Sequence, residues 1–447
     1  MRLYPIILAQ AAIAASLMIS GAAAETVAQS IPVEPVWSGH PVGFCLLTKP
    51  PYQFVAYYDA QRRMSVARRS LDSTQWNITK LPSTLGWDSH NYVTLALDRD
   101  GHIHVSGNMH CVPLVYFRST KPLDATTLVR VPSMVGNREQ RTTYPVFLRD
   151  RAGALVFRYR DGGSGNGDDL YNVYDEKTHS WQRLMSEPLT AGLGRMNAYC
   201  SVPERGPDGR FHIVWVWRDT PDCATNHDIS YARSDDLVHW TDARGRPLKL
   251  PITVETGDIV DKVPPGGGLI NVNRELGFDH AGRPVVSYHK YDARGDLQVY
   301  VARHDGESWK IVQVSAWKDY RWNFSGGGSI QVEVTVGAVR PVGGGRLALN
   351  YRYPRGSGTW ILDEQTLRPI PGAKAPVEPR PVPAPFLKRE SDFPGMQKRS
   401  RPDSGEPPPG LRFALTWETL GTNRDRPRDP PLPEPSMLRV IASPVAK

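Results

Sequence analysis

The sequence predicts an all-β fold, a seven-bladed β-propeller of four-stranded antiparallel blades. The main observation is a repeated unit in which two alternating apolar runs flank a glycine turn, as in "NYVTLALDRDGHIHVSG" at 91–107. The turn glycines of five units lie 52 to 73 residues apart: Gly101, Gly153, Gly209, Gly282 and Gly345. A unit of this length holds about four strands, and six or seven such units favour a propeller over a sandwich or a parallel β-helix.

A tryptophan near the end of many units is the second observation. It follows polar turn residues in "SLDSTQW" and "SDDLVHW", which resemble degenerate Asp-box turns of sialidase-like propellers. The 40 prolines and 39 glycines suit many short strands joined by turns. The tryptophans that fit this pattern are Trp76, Trp181, Trp240 and Trp309.

The chain is predicted to be one domain behind a signal peptide. Residues 1–24 combine a basic start, an apolar stretch and small residues before Glu25, so we expect a secreted or periplasmic protein and a propeller over 25–447. No other apolar run is long enough for membrane insertion. Residues 370–410 are rich in Pro, Arg and Lys and predict a surface excursion. "LRFALTWETL" and "SMLRVIAS" then return to strand character, and we expect a C-terminal strand to complete a blade begun near the N-terminus.

Net charge indicates which macromolecules the protein could bind, and the cysteines bear on disulfides and metal binding. A formal net charge of +8 suits an anionic polysaccharide, whereas predicted export and the lack of a nucleic-acid-binding motif argue against nucleic acid. We expect a monomer. Four cysteines leave one or two disulfides or free thiols open, and the spacing of Cys223 and His227 is a weak indication of a metal site.

Unusual polar residues are predicted to meet at one end of the central channel. In a propeller blade, the start of the innermost strand and the end of the second strand lie at the same end. We expect His102 and His104, beside the turn, to lie at the opposite end and to be solvated. The residues predicted at the first end are His90, Tyr144, Tyr199 and either Asn271 or Asn273 before the turns, and His110, Arg160, Arg218 and His289 after them.

This set predicts proton abstraction from an acidic substrate. It contains no pair of carboxylates as in most glycosidases, no G-x-S-x-G elbow and no H-E-x-x-H motif. β-Elimination of a 4-linked uronic acid needs cationic groups to neutralise the carboxylate beside C5. It also needs a base for the C5 proton, either a tyrosine with a lowered pKa or a neutral histidine. Syn and anti elimination both remain open.

The residues around these positions resemble the BNR-repeat polysaccharide lyases, a seven-bladed propeller group that includes ulvan lyases and rhamnosyl-glucuronate lyases. The matching segments are "WDSHN", "HVSGNMHCVPLVYFRS", "TYPVF", "FRYRDGGSGNGD" and "WRDTPDCATNHDISYARSDD". The resemblance implies a lyase acting on a uronate-containing polysaccharide, with a rhamnose–glucuronate linkage as the substrate class. It implies no cofactor for the chemistry and leaves a structural calcium or zinc ion open.

The resemblance also implies roles for single residues. Tyr144 would transfer the proton, with His110 as an alternative base, while His90 and Arg160 would hold the uronate carboxylate. Tyr199 would assist near the leaving sugar, and Arg158 is a rival for the role of Arg160. Further positions around the substrate would be Asn91, Asn108, Arg218, His227 and His289.

Two other functions compete with the lyase. A sialidase-like hydrolase would need three arginines and a Tyr/Glu pair; Arg160 and Arg218 could serve, but no glutamate occupies an equivalent position. A non-catalytic carbohydrate-binding propeller would stack sugars on aromatic rings such as Trp217 and Trp322. Trp217 follows Trp215 by two residues in an alternating run, so both lie on one face of the strand. We therefore expect Trp217 to face between sheets instead.

Overall fold

A computed structural model of the chain describes residues 28–376 and 382–445. These residues form 31 β-strands and no α-helix, so the all-β prediction is confirmed. Within them, no helix is long and apolar enough to cross a membrane. The predicted signal peptide at 1–24 lies outside the described residues. Three short 3-10 turns occur at Ala125–Thr127, Cys223–Thr225 and Ala384–Leu387.

The first two complete sheets are four-stranded and antiparallel, and each follows the chain from one strand to the next. A strand that pairs elsewhere precedes them, β1 (Gln29–Val36). The first sheet contains β2 (Cys45–Lys49), β3 (Tyr52–Tyr58), β4 (Arg63–Ser70) and β5 (Asn77–Thr84). The second contains β6 (Val93–Leu97), β7 (Ile103–Gly107), β9 (Tyr116–Ser119) and β10 (Leu128–Arg130), with the short β8 (His110–Val112) leaving it after β7.

The next sheet has eleven strands, because a four-stranded unit, a six-stranded unit and β8 are joined in it. A single parallel pair, Gly167 with Asn197, links the two units, and β8 pairs with the first of them. The first unit contains β11 (Thr142–Arg149), β12 (Leu155–Gly163), β13 (Asn166–Asp175) and β14 (Ser180–Arg183). The second contains β15 (Asn197–Cys200), β16 (Glu204–Arg205), β17 (Phe211–Arg218), β18 (Asn226–Ser234), β19 (Trp240–Thr241) and β20 (Asp258–Asp261).

Three further four-stranded sheets complete the described chain. One contains β21 (Arg274–Phe278), β22 (Pro284–Tyr291), β23 (Leu297–His304) and β24 (Trp309–Gln313). The next contains β25 (Thr335–Val336), β26 (Arg340–Gly343), β27 (Arg346–Tyr353) and β28 (Gly356–Asp363). The last contains β29 (Met396–Pro402), β30 (Leu411–Leu420), β31 (Ser436–Pro444) and β1.

The two ends of the described chain share that last sheet. β1 pairs antiparallel with β31, with Ile31 opposite Val440. Residues 396–402 of the predicted surface excursion form β29 rather than a loop, because they pair along their whole length with β30. The strands predicted from "LRFALTWETL" and "SMLRVIAS" are confirmed as β30 and β31.

Hydrophobic side chains fill the spaces between sheets. Trp215 and Trp217 on β17 are fully buried, and the indole nitrogen of Trp217 donates to Ser230 at 3.0 Å. This confirms that Trp217 faces between sheets. Burying a large apolar side chain stabilises the fold by about 1.5–3 kcal/mol, so each such tryptophan fixes how two sheets pack. Trp322 is also buried, beside His289 and Phe324.

Candidate active site

Two histidines lie face to face where the second sheet begins and ends its first hairpin. His90 precedes β6 and His110 opens β8, so the β6–β7 hairpin returns the chain to the place where it entered. The centroids of the two imidazole rings are 4.2 Å apart, and the rings are stacked. The structure therefore brings together the two residues that the hairpin pattern predicted to meet.

Asp88 bridges the two imidazoles, although no pattern in the sequence had singled it out. Nδ1 of His90 donates to one carboxylate oxygen of Asp88 at 2.6 Å, and Nδ1 of His110 donates to the other. Burial raises the pKa of Asp88, but hydrogen bonds from His110 and His90 outweigh it and hold that pKa well below its usual range. Burial also disfavours the charged form of His110 and lowers its pKa. The contact with Asp88 outweighs burial and raises the pKa of His110 to about 9. His110 is therefore cationic at neutral pH, with Nε2 left for other partners.

The same three side chains are the one group in the described part of the chain whose ligand atoms lie close enough for a metal ion, within 4.8 Å of one another. Each Nδ1 atom faces a carboxylate oxygen at hydrogen-bond distance, so its proton stands where a metal would need a lone pair. The donor set fits two hydrogen-bonded imidazoles better than a cation. Cys223 and His227 belong to no such group within residues 28–376 and 382–445. A structural calcium or zinc ion stays a prediction.

Tyr144 lies at an irregularity in β11. The register between β11 and β12 shifts between Thr143 and Val146, and Tyr144 has a φ of 59°. A positive φ is uncommon for an aromatic residue, and such strain is often retained where a side chain must be aimed at a ligand. The centroid of its ring lies 5.7 Å from that of His90 and 6.3 Å from that of Tyr199.

Arg160 is a buried cation with free hydrogen-bond donors. Its guanidinium carbon lies 4.9 Å from the ring centroid of Tyr144 and 5.9 Å from that of Tyr199. Nη2 donates to Oγ1 of Thr143 at 3.1 Å and to Sγ of Cys111 at 3.3 Å. The residue is only 2% exposed, and its Nε and Nη1 atoms are buried without a hydrogen-bond partner. A buried cation with unpaired donors is costly unless a ligand supplies the anion, so Arg160 is suited to a carboxylate.

Arg158, the rival on the same strand, already has a counterion. Its Nε atom donates to Oδ1 of Asp169 at 2.6 Å, and both side chains are buried. Its charge is therefore compensated within the protein. This contrast with Arg160 favours Arg160 as the carboxylate ligand.

Tyr199 and Arg218 extend the cluster into the second unit of the eleven-stranded sheet. The Tyr199 hydroxyl lies 2.6 Å from Oγ of Ser164 and accepts from Nη1 of Arg218 at 3.1 Å. Arg218 also donates from Nη2 to Oδ1 of Asn271 at 2.5 Å and from Nε to Asn226 at 3.1 Å. Of the two asparagines that the sequence left open, Asn271 is therefore the one at the cluster, and Arg218 chiefly holds Tyr199.

The other predicted substrate-binding residues have partners of their own. His289 is fully buried between Asn273 and the carbonyl of Gly268, and burial lowers its pKa to about 4. The amide of Asn108 donates to Ser83 and Thr84. His227 is held by Asp219 and Asp228, and Asn91 lies next to His90 with its carbonyl accepting from the Tyr58 hydroxyl. Of these residues, Asn91 is adjacent to His90 in the chain, and its carbonyl also accepts from the backbone N–H of Asn108 at 3.3 Å.

The prediction that His102 and His104 are solvated is wrong for His104. Its side chain is fully buried, with Nδ1 2.8 Å from the Tyr116 hydroxyl and Nε2 3.3 Å from Asp98. The alternation of β7 places His104 on the face that packs against Trp181, and the polar partners make this burial tolerable. Its position near the turn did not predict its exposure, because strand residues close to a turn still alternate between the two faces of the sheet.

Asp425 reaches the histidine pair from the far end of the chain. One of its oxygens accepts from the Ser89 backbone N–H at 3.0 Å and lies 3.3 Å from Nε2 of His40. The other accepts from the Ser329 backbone N–H at 2.6 Å and lies 3.6 Å from Nδ1 of His90. The loop after β30 thus fixes the segment that carries Asp88 and His90. No sequence signal links positions so far apart.

All four cysteines are free thiols, so the alternative of one or two disulfides is excluded. A cavity of about 1100 Å³ lies between β2, β6 and β11 and the segment after β29. Ser89 and Tyr92 line it, but His90, His110, Tyr144 and Arg160 do not. The polar cluster therefore lies beside this cavity and not inside it.

Comparison with known proteins agrees with this fold. A family model described as BNR repeat-containing family member matches residues 52–317, and the chain belongs to that family. The chain is similar to the crystal structure of the polysaccharide lyase Uly1, with a TM-score of 0.59, 13% identity and coverage of 90% of each chain. It is also similar to an ulvan lyase of family PL25, with a TM-score of 0.57, 13% identity and coverage of 88% of this chain and 96% of that one. The same enzyme was solved bound to -[GlcA(1-4)Rha3S]-. No curated protein matches the sequence.

Proposed function

We propose that this protein is a polysaccharide lyase that cleaves a 4-linked uronic acid by β-elimination. The observation that supports it most is Arg160, a buried guanidinium with two unpaired nitrogens between the rings of Tyr144 and Tyr199. The stacked His90 and His110 complete the cluster. Such donors fit a planar carboxylate, whose charge must be neutralised before its neighbouring C–H bond can ionise.

Each side chain then has a distinct role. Arg160 and His90 hold the uronate carboxylate, and cationic His110, oriented by Asp88, stabilises the negative charge that develops on it. Tyr144 removes the C5 proton and returns it to the departing oxygen if both lie on one face of the sugar. Tyr199 and Arg218 adjoin Tyr144 on the side where the leaving sugar would lie.

The pKa of Tyr144 differs from the sequence expectation. Burial and the neighbouring Tyr199 raise it to about 12, although Arg160 and Arg218 act in the opposite direction. The expectation of a tyrosine with a lowered pKa is therefore wrong for the free protein. Its phenolate is a strong base that is sparsely populated at neutral pH, which suits the weak acidity of C5–H.

We expect kcat/KM to rise with pH up to about 9 and then to level off. The reaction needs Tyr144 as the phenolate and His110 as the imidazolium. The pKa of Tyr144 is about 12 and that of His110 is about 9. Below about pH 9, His110 stays protonated while the phenolate fraction grows about tenfold per pH unit; above it, the loss of imidazolium offsets that gain. Initial rates in buffers from neutral to alkaline pH measure this profile. A pH-independent rate across the neutral range would contradict Tyr144 as the base.

The substrate class is a rhamnose–glucuronate linkage. The similarity to an ulvan lyase that was solved with -[GlcA(1-4)Rha3S]- supports it, together with the net charge of +8. Export through a signal peptide at 1–24 would place the protein where such polysaccharides occur. We also propose a closed ring of seven four-stranded blades, supported by the pairing of β1 with β31 and by the two units within the eleven-stranded sheet.

The competing functions find less support. The Tyr199 hydroxyl contacts Ser164 and Arg218, and among the described residues no glutamate hydrogen-bonds to Tyr144 or Tyr199, as a sialidase nucleophile pair requires. Trp217 and Trp322 are buried and offer no sugar-stacking surface.

Incubating the full-length protein with a glucuronate–rhamnose polysaccharide is expected to generate ultraviolet absorbance from an unsaturated uronate. β-Elimination leaves a 4,5 double bond conjugated to the carboxylate, whereas hydrolysis yields new reducing ends without that absorbance. The matched control is the same polysaccharide with its carboxyl groups reduced, which removes the charge that Arg160 binds. Cleavage of the reduced polysaccharide, or new reducing ends without absorbance, would contradict the proposal.

A further inference from the structure

Cys111 lies in contact with the unpaired cation of the cluster. It is the middle residue of β8, has a φ of 57° and is partly exposed. Nη2 of Arg160 donates to its Sγ atom at 3.3 Å, and the Thr143 hydroxyl lies 3.7 Å from the same atom. Its backbone N–H donates to Oγ1 of Thr143 at 2.8 Å, which fixes the residue on the edge of the site.

The surroundings of this thiol favour its ionised form. Burial opposes ionisation, but the contacts with His110 and Arg160 outweigh burial and lower the pKa of Cys111 to about 7. Arg160 independently indicates that an anion belongs here, because two of its buried nitrogens have no partner. The thiolate is the reactive form of cysteine, so a cationic and partly exposed setting marks a reactive thiol.

The other three cysteines serve as internal references. Burial raises the pKa of Cys45 and Cys223, and it raises that of Cys200 to about 12. None of the three makes a hydrogen bond to an arginine or histidine side chain in the described residues; Cys45 lies near Ser404 and Cys200 near Thr190. Cys111 is thus the one cysteine of the four whose pKa is lowered rather than raised.

We propose that Cys111 is a modification site at which small electrophiles and peroxides react with the thiolate held beside Arg160. With an alkyl halide, a sulfur–carbon bond forms and halide leaves. With hydrogen peroxide, sulfur attacks one oxygen, the O–O bond breaks, hydroxide leaves, and the thiolate is oxidised to sulfenic acid while the peroxide is reduced. The adduct occupies space beside Arg160 and hinders binding of an acidic ligand; this second consequence rests on the proposed function.

Labelling of the native full-length protein with iodoacetamide tests the site itself. Peptide mapping by mass spectrometry is expected to find Cys111 alkylated at least about tenfold faster than the other cysteines at neutral pH, with a rate midpoint near pH 7. Cys111→Ser should abolish the fast phase, and Cys200→Ser should leave it unchanged. Comparable labelling of all four thiols, or a midpoint near about 8.5 as in an unperturbed thiol, would overturn the proposal.

Two further arms separate this proposal from the lyase function. Arg160→Gln is expected to move the labelling midpoint of Cys111 upward, because the guanidinium that donates to its Sγ atom is lost; an unchanged midpoint would refute the part assigned to Arg160. Peroxide treatment is expected to remove elimination activity from the native protein but not from Cys111→Ser, each measured against its own starting activity. Equal inactivation of both proteins would refute the link to the site. If elimination is never detected, the proposed function fails while the labelling result stands.

Discussion

We expect Tyr144→Phe to lower kcat for uronate elimination by about 10²–10⁴-fold, the usual contribution of one general acid–base group. The substitution removes only the phenolic oxygen, so the ring contacts with His90, Tyr199 and Arg160 persist. Because substrate would still meet Arg160, KM should change little. Initial rates of double-bond formation measure both constants, and the thermal unfolding midpoint reports whether the fold is kept. A variant with full activity would refute the role of Tyr144.

Tyr199→Phe is the matched control in the neighbouring unit. Its hydroxyl contacts Ser164 and Arg218, so its loss removes two hydrogen bonds of about 1 kcal/mol each and should slow the reaction by no more than about thirtyfold. A loss at Tyr199 as large as that expected at Tyr144 would mean that the two tyrosines have exchanged roles.

Arg160→Gln is expected to reduce activity, and Arg158→Gln is expected to reduce stability, although the two residues are separated by one position on β12. Arg160→Gln should lower kcat/KM by about 10²–10³-fold and leave stability nearly unchanged, because its guanidinium has few partners in the protein. Arg158→Gln should destabilise the fold by about 3–5 kcal/mol, because it leaves the buried Asp169 without its counterion.

Denaturant unfolding together with kinetics on each purified variant separates these outcomes. If Arg160→Gln were strongly destabilised and fully active when folded, its assignment as a carboxylate ligand would be wrong. If Arg158→Gln kept its stability and lost activity, the two arginines would have to exchange roles.

Local pairing made part of the site predictable. A glycine turn between two alternating runs fixes which residues face each other across a hairpin. The β6–β7 hairpin therefore returns His110 to His90, and the β11–β12 hairpin sets Arg160 opposite Thr143, beside Tyr144. The same reasoning gave the all-β class, because alternation and turn spacing are properties of neighbouring residues.

Other features needed contacts between distant segments. Asp425 meets Ser89 only because the loop after β30 reaches the segment that precedes β6. Arg158 and Arg160 have the same residue type and strand face in the sequence, yet Asp169 compensates only Arg158. The burial of His104 likewise depends on Tyr116 and Trp181 packing around it.

The order of residues along this chain is enough to specify strands, turns and the convergence of histidine, tyrosine and arginine from adjacent hairpins. Tertiary packing alone assigns the partners and charges around those side chains: a bridged imidazole pair at Asp88, a compensated and an uncompensated arginine, and a thiol of lowered pKa at Cys111. The physical reason is that periodicity is set by local backbone geometry, whereas burial and charge pairing are summed over every segment that surrounds a group.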